Sequence, residues 1–196
     1  FALSNLGINV TSVMAGIGIG GIAIAFALQN ILTDLFSSFA IFFDKPFIVG
    51  DFIVIGDQAG VVEKIGIKTT RIRALQGEEI VISNKELTSE RIQNFKKLTK
   101  RRIVFKFGVV YETPNEKLNK IPEIIESIFK NEDIAELDRV HFSKFGDFSL
   151  EFEVVYYVLS GKYIDYMDVN QRILLKIKEV FEKEKIEMAF PTQTLL

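Results

Sequence analysis

The sequence predicts a membrane-spanning α-helix, then a small β-barrel or strongly bent sheet, then an α+β domain, with the chains assembled as a ring. Three observations predict it. None of the 50 charged residues of this 196-residue chain falls in the first 33 positions. Short β-type runs crowd the region after Gly50, and from Arg102 onward longer strands alternate with two amphipathic helices.

The run FALSNLGINVTSVMAGIGIGGIAIAFALQNILT, Phe1 to Thr33, is long enough to cross a bilayer. Roughly 20 apolar residues at about 1.5 Å rise cross a hydrocarbon core of about 30 Å. A signal peptide needs a basic leading region and a shorter apolar run, and no basic residue occurs here. Because the chain begins at Phe1 without an initiator methionine, it is expected to be processed or cut, with further segments upstream.

Placed at about 100° per residue, this helix shows four faces. Gly16, Gly20, Ala23 and Ala27 form one stripe of small residues, and Gly18, Gly21 and Ala25 form a second on nearly the opposite side. Between them lie one wide face with Ala15, Ile19, Ile22, Phe26, Gln29 and Thr33, and another with Val13, Ile17, Ile24, Leu28 and Ile31. Small residues let membrane helices approach closely, so two stripes imply two neighbours. A head-to-tail ring uses two different patches on every protomer. The lumen falls to the face with Gln29 and Thr33, since polar groups facing lipid are costly. Ile22 and Phe26 then form two stacked apolar collars, and such a constriction blocks ions by dewetting. The alternative is that the stripes pack against other helices of the same protein.

After Asn30, Leu32, Leu35, Phe36, Phe39, Phe42 and Phe43 keep one stripe while Asp34, Ser37 and Ser38 fall elsewhere. That pattern predicts an amphipathic helix at the membrane surface or against a soluble domain, with one straight continuous helix as the alternative. It stops at Asp44-Lys45-Pro46, because proline cannot continue a helix.

Residues 44–110 hold 13 Lys or Arg against 8 Asp or Glu, and residues 111–196 hold 11 against 17. A basic excess beside a membrane segment points to the cytoplasmic side. Strands are predicted at Asp51–Ile55, Gly60–Lys68, Thr70–Leu75, Glu79–Ser83 and Arg91–Phe95, with turns at Gly56-Asp57, Gln76-Gly77 and Asn84-Lys85. Five short strands in about 45 residues make a small barrel or bent sheet. The second domain reads strand Arg102–Val110, helix Pro114–Lys130, strands near Arg139–Lys144 and Ser149–Leu159, and helix Asp165–Lys185, a split βαβ arrangement. In the last helix Val169, Ile173, Ile177, Val180 and Phe181 line one face. The uncharged tail Ala189–Leu196 is expected to dock, as a strand between subunits.

Composition excludes several functions. Without cysteine there is no disulfide or thiolate metal site, and a single histidine, His141, rules out a multi-histidine centre. His141 sits in a strand-like apolar setting, read as a structural histidine. Asp147, Glu151 and Glu153 alternate as a solvated face. No nucleophile motif or phosphate-binding loop with its lysine occurs, so no catalytic residue, cofactor or metal is assigned. The basic run Lys96–Arg102 lacks interleaved aromatics for base stacking and reads as a solvated or lipid-facing edge rather than a nucleic-acid surface.

Several motifs occur in order: Phe26-Ala27-Leu28-Gln29-Asn30; Asp44-Lys45-Pro46-Phe47-Ile48-Val49-Gly50-Asp51; Gly60-Val61-Val62-Glu63-Lys64-Ile65 followed by Thr70-Arg71-Ile72-Arg73; Ile80-Val81-Ile82-Ser83-Asn84; Ile92-Gln93-Asn94-Phe95; and Phe190-Pro191. With these the chain resembles the small-conductance mechanosensitive channel (MscS) family over essentially its whole length. The resemblance implies a homoheptamer whose last membrane helix lines the pore, a middle domain similar to Sm-like barrels, and a ferredoxin-like α+β domain enclosing a cytoplasmic vestibule with side portals. It also places Ile22 and Phe26 at the two constrictions. There are departures. Ser83 stands where relatives commonly have proline, Gln76-Gly77 replaces an Asp-Gly turn, and Phe26 is bulkier than the usual leucine. Asn30 replaces a glycine at the bend, which makes it a less secure candidate hinge.

The expected organisation is a pore helix with its extension at 1–43, an Sm-like domain at 44–98, a vestibule domain at 99–188 and a docking strand at 189–196. The expected function is a tension-gated, weakly selective channel of the cell membrane that releases ions and small osmolytes on hypo-osmotic shock. Its partners are copies of itself and the lipid bilayer. The alternatives are a membrane-anchored oligomeric module binding a ligand or RNA, and a channel gated by another stimulus.

Overall fold

The structure, a computed structural model, describes residues 10–191. The first nine residues of the uncharged run and residues 192–196 of the expected docking strand lie outside the described residues. The chain divides into two compact units, Phe1–Lys96 and Lys97–Leu196.

Unit one begins with a single helix, α1 (Val10–Asp44), 35 residues long and so about 50 Å from end to end at about 1.5 Å per residue. It runs unbroken through Asn30. It ends where Lys45 takes a left-handed conformation (φ 44°), donates its backbone N–H to Ile41 O at 3.0 Å, and is followed by Pro46, which cannot extend a helix. Five strands follow: β1 (Phe52–Ile55), β2 (Gln58–Ile65), β3 (Thr69–Ala74), β4 (Glu79–Ser83) and β5 (Ile92–Asn94). They form one antiparallel sheet in the order β4-β3-β2-β1-β5, bent by a register shift between Val62 and Lys64. Each lies within two or three residues of its expected position. Gly60 is required by close packing, because a Cβ there would fall on the Arg73 carbonyl of β3. The core gathers Ile41 of α1, Phe47 and the inward residues Ile53, Ile55, Val62, Ile72 and Ile82 with Leu87.

Asn84-Lys85 is not a bare turn but opens a short helix, α2 (Asn84–Ser89). Ser83 caps it, accepting from Glu86 N at 3.2 Å, and Ser83 with Glu86 three residues on is a capping-box pattern. The departure at Ser83 therefore starts a helix.

Unit two holds β6 (Arg101–Val109), α3 (Asn115–Phe129), β7 (Ala135–Phe145), β8 (Leu150–Val158) and α4 (Tyr163–Lys183). The sheet order is β6-β8-β7, with β8 antiparallel to both neighbours, so β6 and β7 are parallel and split by β8, as the alternation predicts. A single antiparallel bridge, Val109 to Met188, stands where a fourth strand would join the free side of β6. Ile121, Ile125 and Phe129 of α3 and Val169, Ile173, Ile177 and Phe181 of α4 cover the inward face of the sheet. Val180, expected on the same face, packs half-buried at its margin. At the end of α4, Lys185 is left-handed (φ 54°) and Ile186 N donates back to Phe181 O at 2.8 Å, a Schellman-type stop.

Candidate functional site

Because α1 is helical throughout, the faces drawn from the sequence hold as faces of one cylinder. Every residue from Thr11 to Leu32 is exposed, including Ile22 at 59% and Phe26 at 70%. Nothing lies within 4 Å of the place a Cβ would take at Gly16, Gly18, Gly20 or Gly21. Isolated apolar residues at a surface are ordinary, but a contiguous apolar surface of this length requires another phase or partner. At the polar end of the wide face, Thr33 Oγ1 donates to Gln29 O at 2.8 Å, so its hydroxyl is satisfied by the helix itself. Ala15, Ile19, Ile22, Phe26 and Gln29 remain open to solvent.

Below Thr33 the helix changes environment. Asp34, Ser37 and Ile41 become buried while Leu32, Phe36, Phe39, Phe42 and Phe43 stay exposed. This corrects one alternative for the lower stripe: the apolar side does not face the soluble domain of its own chain. The side that does is mostly polar, because the elements it meets present polar groups. The Ser37 and Thr88 hydroxyls share a hydrogen bond of 2.9 Å, and Lys68 Nζ lies 3.9 Å from Asp34 Oδ2. Ser38 Oγ reaches Gly66 O at 3.4 Å. That same carbonyl accepts from Asn84 Nδ2 at 2.8 Å, while Asn84 Oδ1 accepts from Thr70 Oγ1 at 2.8 Å. Asn84 and Thr70 are fully buried, where an unmet polar group costs about 1–3 kcal/mol.

A second lock holds the chain as it leaves α1. Asp51 is buried, and its Oδ2 accepts from Asn94 Nδ2 at 2.7 Å and from Ile48 N at 3.1 Å. Asn94 Nδ2 also reaches Pro46 O at 3.1 Å, and Lys96 Nζ lies 4.0 Å from Asp51 Oδ1. Phe47, fully buried, plugs the turn these bonds close. Asp51, Asn84 and Asn94 belong to motifs that carry the family resemblance, yet sequence reasoning gave them no role. No periodic signal marks them: they sit at or beside the ends of short elements, and their long-range partners lie 14 to 48 residues away in sequence.

The other candidate residues are structural or solvated. The basic run is largely committed to its own chain. Lys100 pairs with Glu136 at 2.8 Å, and the Arg101 guanidinium lies over the Tyr163 and Tyr166 rings at 5.6 and 5.9 Å. His141 is exposed on β7 opposite Glu153, not set in an apolar interior, because strand alternation turns Val140 inward and His141 outward. Glu153 accepts from Arg139 Nη2 at 2.7 Å. That hydrogen bond, with the charges of Arg139 and Lys106, holds its carboxyl below the usual carboxylate range against an opposing desolvation.

Filling one small-residue stripe tests whether it is a working contact. Gly21→Leu meets open space within the single chain and improves helix propensity by less than about 1 kcal/mol, so the fold of the chain is expected to be intact. The added side chain is expected to weaken self-association of the chain by obstructing close helix approach, as read from its oligomeric mass in detergent. An unchanged mass would remove that stripe from the contact.

Three descriptions of known families match successive parts of the chain. Mechanosensitive ion channel, transmembrane helices 2/3, matches residues 1–29; mechanosensitive ion channel, beta-domain, matches 30–97; and mechanosensitive ion channel MscS, C-terminal, matches 103–188. Two relatives come from Methanocaldococcus jannaschii. The large-conductance mechanosensitive channel MscMJLR is 42% identical over 98% of this chain and 55% of its own length. The small-conductance mechanosensitive channel MscMJ is 42% identical over 99% of this chain and 56% of its own. The chain thus spans little more than half the length of these relatives. Among solved structures, Helicobacter pylori MscS in its closed state is similar over 100% of this chain and 76% of its own, with 26% identity and a TM-score of 0.78.

Proposed function

The chain belongs to the MscS family of mechanosensitive channels, and from that premise we propose that it forms the pore and cytoplasmic part of a tension-gated channel. In this reading copies of α1 stand side by side in a cell membrane, touching along the two glycine and alanine stripes. The face carrying Ala15, Ile19, Ile22, Phe26, Gln29 and Thr33 turns to the lumen. Ile22 and Phe26 form the collars, and seven copies close the ring, as the family resemblance implies. The open sheet of unit one becomes a barrel of Sm-like form, and unit two walls a cytoplasmic vestibule.

The observation that carries the proposal is α1 itself: 22 successive exposed residues, Thr11 to Leu32, without a charge, followed at once by a face locked to a folded domain. Tension favours whichever state occupies more membrane area, and only such a difference in free energy between states shifts a population. When the collars part, the lumen wets and ions with small osmolytes pass. Asn30 is the candidate hinge for that movement. Cells lacking their own tension-gated channels, supplied with the full-length protein, are expected to survive a sudden drop in external osmolarity. Survival no better than with empty vector would count against the proposal.

A further inference from the structure

Where β6 runs out in unit two, a cavity of about 420 Å³ is walled by three aromatic side chains, Tyr111, Phe148 and Phe190, and by the carboxylates of Glu112, Asp147 and Glu187. Sites for small molecules occupy about 300–1,000 Å³, so this volume suits a compact ligand. Three separate segments build the cavity, and hydrogen bonds tie them together. Tyr111 Oη donates to Gly146 O at 2.6 Å, Val110 N donates to Glu187 O at 3.2 Å, and Gly146 N donates to Ser149 O at 2.7 Å across the β7–β8 hairpin. Of the three rings, Tyr111 is held by its own hydrogen bond, while Phe148 and Phe190 are exposed.

Charge around the cavity has one sign. No Lys or Arg lines it. Glu112, Asp147 and Glu187 make no ion pair among the described residues, whereas Glu151 and Glu153 on β8 are matched by Lys144 and Arg139. Aromatic faces attract a cation within about 6 Å of the ring centroid, so rings and carboxylates favour the same kind of ligand. A metal ion is a poor match, since among the described residues no three acidic groups stand close enough to hold one. A bulky organic cation, weakly hydrated, can instead rest its methyl groups on the rings while its charge is balanced at the rim.

We propose that this cavity binds a quaternary ammonium compound of the choline class, with the trimethylammonium group against Tyr111, Phe148 and Phe190 and its charge balanced by Glu112, Asp147 and Glu187. The binding does not depend on how, or whether, the pore opens, so it goes beyond the channel reading.

The test is calorimetric titration of the whole chain in detergent with choline chloride at constant ionic strength. A parallel titration uses the neutral tert-butyl analogue of choline, which has the same shape without the charge. Choline is expected to saturate, with the neutral analogue weaker by at least about tenfold. Phe148→Leu keeps an apolar wall but removes the π face, and is expected to weaken choline by about tenfold with an unchanged thermal unfolding profile. Glu187→Gln is expected to weaken choline but not the analogue. Absence of saturable choline binding, or equal affinity for choline and its neutral analogue on the unmodified chain, overturns the proposal. So does Phe148→Leu binding choline as tightly as the parent.

Discussion

In the full-length protein, Phe26→Ser or Ile22→Ser is expected to give a channel that conducts at membrane tensions where the parent is shut. The two residues are four apart on one face of α1, so in the proposed ring their collars stack about 6 Å apart along its axis. A narrow apolar ring excludes ions because water cannot keep its hydrogen bonds inside it. Serine gives water a partner on every subunit and removes the bulk that narrows the ring, so both parts of the barrier fall together. Current at rest is expected to rise at least about tenfold in patch recordings. Ile24→Ser, on the opposite face of α1, serves as the comparison and is expected not to leak in this way. Parent-like thresholds in both collar variants would remove Ile22 and Phe26 from the gate.

Phe47→Ala is the second large effect, and it acts on stability. Phe47 is fully buried between Ile41 of α1 and the inward residues of the first sheet, at the turn closed by Asp51 and Asn94. Truncating a buried phenylalanine costs about 3–5 kcal/mol through lost burial and the cavity left behind, a large fraction of a typical domain stability of about 5–15 kcal/mol. Unit one is expected to melt markedly earlier, and α1 to lose its fixed attachment. Phe47→Leu, closer in volume, is expected to cost much less, in line with the tolerance of volume-conserving swaps at under about 1.5 kcal/mol. Thermal unfolding of the parent and both variants in detergent checks this ordering. Equal midpoints for parent and Phe47→Ala would show that Phe47 does not hold the helix exit.

Much of the fold is legible from local pattern alone. β4 is found at its expected bounds, Glu79–Ser83, and α3 within one residue of them, because alternation and helical periodicity in these segments are set by burial against one face. The split βαβ topology follows from the alternation of strand and helix with a tight hairpin at Gly146. What escapes local pattern is partner choice. Hydrophobicity leaves the apolar stripe of lower α1 open to either the membrane surface or a soluble domain; it is Asp34, Ser37 and Ser38 that make the contact with the domain, because Thr88, Gly66 and Lys68 offer hydrogen bonds and charge. Long-range polar complementarity of that kind has no periodic signature. Helix α2 escapes for a different reason. Six residues are too few for periodicity, and only the pairing of Ser83 with Glu86 announces them. The free apolar side of lower α1, from Leu32 to Phe43, is left facing away from its own domain, as suits a segment that meets lipid or a neighbouring copy.

The most direct test of the central claim is current through the full-length protein reconstituted in liposomes, recorded from excised patches while suction is stepped. The account predicts a silent membrane at rest and reversible, weakly selective openings above a reproducible tension. Silence at every tension short of rupture, with the assembled oligomer present in the same membranes, would contradict it.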